Sequence, residues 1–178
     1  MCNSTVAPSR PFHRRKQATM DTTPLQDAYR ALLDAAATVA AADTSPVPPP
    51  GEWDADQILA HVSLISAATI NAVSAAATAT TTTYDNRTAH NDWTLDRVIA
   101  LAGGNAGLRE RIRLQGEALS ALSGPMLAEA ELDTLVPTLL ISNGKVLVDQ
   151  PMPLRDLITG LAGNELPGHT QQLLALLR

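Results

Sequence analysis

Apolar residues recur at helical spacing through most of this chain, and the places where the spacing fails mark its organisation. Leu25, Tyr29, Leu32, Leu33 and Ala36 fall three or four apart, the signature of one buried helix face. Thr23-Pro24-Leu25-Gln26 announces that helix, with a cap-type threonine, a proline suited to the first turn and a glutamine three residues after the cap. The pattern fades by Ala42. Asp43 to Gly51 cannot continue it, because three consecutive prolines make a stiff, extended connector. A second start follows at Asp54, with Gln57 placed to complete a capping box and Trp53 and Ile58 placed as a hydrophobic staple. Ile58, Val62, Ile65, Ala72 and Ala76 then form a stripe in which Thr69 is the one polar member. The run Thr80 to Thr83 ends the helix through β-branching, and Tyr84 to Asp92 reads as a polar loop.

A third helix is expected from near Thr94, with Leu95, Val98, Ala102, Asn105, Arg109, Ile112 and Leu119 on its inner face. Gly103, Gly104 and Gly107 fall inside it, each costing up to about 1 kcal/mol relative to alanine. They predict a bend or a close approach between helices. Gly124-Pro125 closes the element. The period then changes, and Val136 to Ile141 and Lys145 to Asp149 flank Asn143-Gly144, the strongest short hairpin signal. From Pro153 to Arg178 the spacing is helical again, with Pro167 interrupting it. Four long helices and one small hairpin before the last predict an all-α fold, a four-helix bundle with each apolar stripe buried against its neighbours.

Composition narrows the picture. A chain of 178 residues is most simply one domain, here expected over residues 20–178. Only 3% of it is aromatic, so the core must be aliphatic. The longest uncharged run, Gln57 to Tyr84, is too rich in Ser, Thr and Asn to read as a membrane span. The single Cys2 excludes an internal disulfide and any CxxC site, which fits a reduced, cytoplasmic protein. Arg10, Arg14, Arg15 and Lys16 place four of the thirteen basic residues in the first nineteen, and all eighteen acidic residues follow. Residues 1–19 are therefore expected to be a disordered basic extension, or translation begins at Met20. The acidic body, net −9, argues against nucleic-acid binding.

Histidine is scarce. His13 lies in the basic extension and His90 in the polar loop, and both read as solvated. His61 sits roughly 60–70° from the centre of the second helix's apolar stripe, where a lone histidine is ordinarily a satisfied core or boundary residue. The last helix, however, carries Glu165-Leu-Pro-Gly-His169. Residues four apart share a helix face, so this carboxylate and imidazole can chelate one divalent ion. E-x-x-x-H is a weak signal alone. Joined by His61 it makes a three-ligand set, which leaves zinc an open coordination position.

The stretch Trp53-Asp-Ala-Asp-Gln-Ile-Leu-Ala-His61-Val62 resembles the second-helix signature of the DinB-like superfamily, a tryptophan eight positions before a metal-binding histidine. The connector, the long third helix and a ligand-bearing last helix are similar too. Glu165 with His169 resembles the branch of mycothiol-dependent maleylpyruvate isomerases, whose metal-binding domain uses a His, Glu, His triad. Asp149-Gln-Pro-Met-Pro and Gly168-His169-Thr-Gln-Gln-Leu173 are similar to small relatives in that branch. The resemblance covers Met20 to Arg178. It implies a DinB-like bundle, a divalent metal (zinc above all) on His61, Glu165 and His169, and pairing of bundles into a homodimer. It also implies a low-molecular-weight thiol such as mycothiol as cosubstrate and S-transfer to, or isomerisation of, a small electrophile. Isomerases of this type carry a further C-terminal domain, and this chain ends at Arg178, so the named isomerase reaction is not carried over. A metal-dependent hydrolase, with water in place of thiol, and a non-catalytic dimerising bundle are the alternatives.

Two residues bear on that reading. Pro167 lies between two of the ligands, so either Gly163 and Gly168 absorb a kink that aims both inward, or the helix breaks and the chelate is lost. The kink is the expectation. Arg109, beside Asn105, falls near the centre of the third helix's apolar face. A buried guanidinium is costly unless it is paired or faces an anionic ligand. Arg109 is therefore a candidate for binding a substrate carboxylate beside the metal, unless the glycines turn it to the surface with Glu110 and Arg113.

Overall fold

The computed structural model describes residues 20–42 and 48–178. The basic extension, with Cys2 and His13, and part of the proline connector lie outside the described residues. The fold is mainly helical: α1 (Thr23–Ala40), α2 (Ala55–Ala77), α3 (Asp92–Ala102), α4 (Asn105–Ser123), a short α5 (Glu129–Leu132), α6 (Leu154–Gly160) and α7 (Leu166–Ala175). Five short strands accompany them: β1 (Tyr84–Asp85), β2 (Leu135–Val136), β3 (Thr138–Ser142), β4 (Lys145–Asp149) and β5 (Met152–Pro153). One aliphatic core runs between the helices. Leu25, Leu32 and Ala36 of α1 meet Ile58, Leu59 and Val62 of α2, Leu108, Ile112 and Leu119 of α4, and Ile158, Leu161, Leu166 and Leu173 of the last helical segment. α4 packs on both α1 and α2, and α7 packs on α1.

The start of α2 forms as its sequence dictates. The Asp54 carboxylate accepts from Gln57 N at 2.8 Å, while Gln57 Oε1 accepts from Asp54 N at 3.1 Å. α1 departs in detail. Its cap is Thr22, not Thr23, and Pro24 occupies the first turn with no side-chain cap bond. Gln26 Nε2 instead donates to Thr22 Oγ1 at 3.3 Å, and Asp21 Oδ1 accepts from Thr23 N.

The expected single third helix is two. Gly103 takes φ +79° and Gly104 φ +82° with ψ −160°, conformations that glycine reaches without strain. α3 ends and α4 starts on a new phase. Gly107 is held to glycine by the same junction, since a Cβ there would lie 1.7 Å from the Ala102 carbonyl oxygen. Further along α4, Gly116 lets the helix approach α1 so closely that a Cβ would sit 2.8 Å from Cγ of Tyr29.

The hairpin forms where expected. Asn143 (φ +49°) and Gly144 (φ +71°) are both left-handed, as a two-residue turn between twisted strands requires. β3 and β4 pair antiparallel with a bulge between Leu140 and Ile141. Two further pairings were not anticipated: β1 lies parallel to β3, and β2 runs antiparallel to β5. Thus the segment Tyr84 to Asp92 is not a polar loop. It holds β1, a 3-10 turn (Arg87–His90), and Asn91, whose Oδ1 accepts from Thr94 N at 3.0 Å to cap α3.

The last helix does not break at Pro167. A π-helical turn, Leu161–Glu165, joins α6 to α7, and Leu166 N donates to the Leu161 carbonyl five residues back. The widened turn immediately before the proline is where its missing N–H and its ring bulk are absorbed. Glu165 and Leu166 keep right-handed helical angles, so Glu165 and His169 remain one turn apart on one face. α2 is long and apolar enough to cross a membrane by length and composition alone, and 67% of its most apolar stretch is buried within the fold.

Candidate metal centre

Four segments converge at one end of α2. His61 is fixed by α2, Glu165 by the π-helical turn, His169 by α7, and His90 by the 3-10 turn that precedes α3. The His61 side chain is 1% exposed, an ionisable group placed among Ile58, Val62 and Ile65. Its Nδ1 lies 2.8 Å from the Ala89 carbonyl oxygen, so Nδ1–H donates to that carbonyl. His169 Nδ1 likewise donates to Gln172 Oε1 at 2.9 Å. Both rings are thereby held in the tautomer that leaves Nε2 with a free lone pair.

Both of those lone pairs aim at one carboxylate oxygen. Glu165 Oε1 stands 3.0 Å from His61 Nε2 and 3.4 Å from His169 Nε2. A carboxylate accepts and a lone pair accepts, so three acceptors face one another across this space. A shared proton or a cation between them satisfies the arrangement. The two imidazoles hold the Glu165 carboxyl far below the usual carboxylate range, His169 first and His61 second. The spacing also fits a cation. Ligands about 2.1 Å from a tetrahedral zinc stand roughly 3.4 Å apart, and the three donor atoms here all lie within 4.8 Å of one another. The cluster could hold a metal ion.

Trp53 lies over this group. Its ring centroid is 4.9 Å from that of His61, 5.5 Å from His90 and 6.4 Å from His169. His90, expected to be solvated, is half-buried and packs edge-on against His61 at 4.8 Å. Burial, with His61 behind it, pushes its pKa below the ordinary histidine value. Asn86 braces the same region, accepting from Ile141 N at 2.8 Å and donating to the Ile141 carbonyl at 3.0 Å. That pair ties the hairpin to the 3-10 turn. A cavity of about 1050 Å³ opens beside the cluster, walled on one side by the hairpin and on the other by the π-helical turn. Tyr84 lines it, with its hydroxyl 3.3 Å from Thr69 Oγ1 and its pKa pushed up to about 12 by burial.

The structure brings together His61, Glu165 and His169 from positions more than a hundred residues apart, but not Arg109. Arg109 is absent from the cavity wall. Its Nε donates to Asn105 Oδ1 at 2.9 Å, and Asn105 Nδ2 donates to Asp56 Oδ1 at 2.9 Å, a chain that fastens α4 to α2. With Glu110 and Arg113 it borders a separate shallow hollow. Within α4 Arg109 keeps the phase of the buried Ile112 and Leu119, but it is half-buried near the start of the helix and held by Asn105. His90 and Asn86 went unrecognised in the sequence. The signal for them was Asn91 as the cap of α3, which fixes His90 at a helix entrance. Comparisons with protein families, curated proteins and solved structures find no match to this chain.

Proposed function

We propose that this protein is a metal-dependent S-transferase or isomerase that uses a low-molecular-weight thiol of the mycothiol type on a small electrophile, built on a DinB-like four-helix bundle. The observation that carries it is the set of three acceptors, two Nε2 lone pairs and one carboxylate oxygen, facing one point beside a large cavity. His61, Glu165 and His169 would hold a divalent ion, zinc being the best match to two imidazoles and one carboxylate. Such an ion lowers the pKa of a thiol or water towards neutrality and offers it as a nucleophile.

The chain's own residues do the rest. The Ala89 carbonyl and Gln172 lock the imidazole tautomers, and Trp53 covers the rings and thins the water around them. Tyr84, kept neutral by burial, donates its hydroxyl proton to Thr69 Oγ1, whose own proton goes to the Ile65 carbonyl. No cysteine follows Cys2, so the sulfur nucleophile must arrive with a cosubstrate. In the transfer the thiol loses its proton, a carbon–sulfur bond forms, and the leaving group departs with the bonding pair. On this reading the protein works in the cytoplasm, where thiols stay reduced.

The test is consumption of an aryl halide by zinc-loaded protein with and without mycothiol. Thiol-dependent turnover that is lost on chelation supports the proposal. Turnover of an ester or amide without thiol assigns a hydrolase instead. Tight dimerisation with neither metal nor turnover leaves a non-catalytic bundle.

A further inference from the structure

The charge of the cavity wall limits what can enter it. Among the described residues that line the cavity there is no Lys and no Arg. The acidic groups there, besides Glu165 itself, are Glu52 next to Trp53 and Asp156 on α6. Neither carboxylate has an ion-pair partner among the described residues. Of the basic residues nearest in sequence, Arg87 pairs with Asp85 and Arg155 with Glu129 and Asp133, while Lys145, beside Gly144 in the hairpin turn, is exposed and does not line the cavity. The carboxamides of Asn143 and Asn164 add uncharged polar lining, and Leu147 and Met152 add apolar area.

A carboxylate or phosphate that enters must give up water with no Lys or Arg among the described wall residues to replace it, while the two carboxylates repel it. The one favourable place for an anionic atom is the His61–Glu165–His169 cluster. An ammonium group, by contrast, meets two carboxylates. We infer that the cavity selects substrates whose body, beyond the one atom that reaches the cluster, is uncharged or cationic, and rejects carboxylated and phosphorylated ones. This rests on the proposed metal-and-thiol reading and names the substrate class for it. Glu52 and Asp156 are the specificity-determining residues.

The experiment uses the full chain carrying Trp93→Phe, so that Trp53 is the one indole left to report on the cavity. Zinc-loaded protein is titrated with cysteinamide (cationic), N-acetylcysteinamide (neutral) and N-acetylcysteine (anionic), reading Trp53 emission. A carboxylate acting across solvated space changes binding of a unit charge roughly three-fold, so two give about ten-fold. N-Acetylcysteine is expected to bind about ten-fold more weakly than the neutral amide, and cysteinamide at least as tightly as it. In Glu52→Gln/Asp156→Asn protein the gap between anionic and neutral probes should narrow to about three-fold or less.

Equal binding of anionic and neutral probes, or a gap that the double substitution leaves intact, overturns the inference. A second series with an imidazole head (histamine, hydroxyethylimidazole, imidazolepropionate) separates the two ideas. If no thiol binds but the second series keeps the same charge order, the inference holds and the thiol reading fails. If neither series binds, the inference fails.

Discussion

Replacing Glu165 by glutamine keeps the shape of the side chain and removes its charge. In metal-free protein it removes the carboxylate that the two imidazoles hold ionised, a loss of stability that the new amide offsets only in part. The new amide N–H can donate to one of the two Nε2 lone pairs that now face a carboxylate oxygen at 3.0 and 3.4 Å. In the presence of zinc the effect is large. Apparent binding free energies of about 10–16 kcal/mol for four-ligand zinc sites give about 3 kcal/mol per ligand, or roughly two powers of ten in affinity. At zinc one hundred times the parent's dissociation constant, the parent gains about 2.7 kcal/mol. In a domain of this size that raises the melting temperature by roughly 5–10 °C. At the same zinc concentration Glu165→Gln should gain only about 0.4 kcal/mol, a shift of roughly 1 °C. Scanning calorimetry of chelator-treated and zinc-supplemented samples reads both, and circular dichroism confirms that the variant keeps its helices. An equal zinc-dependent rise in parent and variant would refute the reasoning, as would no rise in the parent.

Three further outcomes follow from residues outside the cluster. Gly116→Ala drives a methyl to 2.8 Å from the Tyr29 ring, and should lower stability by about 1–3 kcal/mol in urea unfolding without changing zinc content. Tyr29 and Tyr84 both have pKa values raised to about 12 by burial, against about 10 when unfolded. Their contribution, about 3 kcal/mol each, is fully present below about pH 10 and is lost as pH rises through about 12. Phenolate absorbance and loss of helix should therefore rise together in an alkaline titration, not separately. Arg109→Ala should leave zinc content and turnover unchanged, because the side chain is absent from the cavity wall. A loss of substrate saturation in that variant would return Arg109 to the site.

What the sequence carried was local. Asp54 and Gln57 cap a helix with atoms three residues apart, and Asn143-Gly144 turns a hairpin with its own backbone, so both were legible in a short window. The grouping of His61, Glu165 and His169 was legible for a similar reason: Glu165 and His169 share a face by spacing alone, and His61 is a polar group beside a mostly apolar stripe. What periodicity could not show was which end of the core a face reaches. Arg109 shares the α4 face of Ile112 and Leu119, yet it meets Asn105 and not the cavity wall. Nor does periodicity reveal a π-helical turn, since one extra residue per turn looks like noise in an apolar pattern, yet that turn lets Pro167 sit between Glu165 and His169. His90, Asn86 and Tyr84 were missed because long-range pairing recruits them. β1 finds its partner in β3, fifty-four residues later, and the 3-10 turn follows it into the site.

The most direct measurement is anomalous diffraction at the zinc edge from crystals of the full chain grown with zinc. The cluster predicts one strong peak about 2.0–2.2 Å from His61 Nε2, His169 Nε2 and a Glu165 carboxylate oxygen, beneath Trp53 and open to the cavity. No peak there, with zinc absent or held elsewhere and the three side chains turned apart, would contradict it.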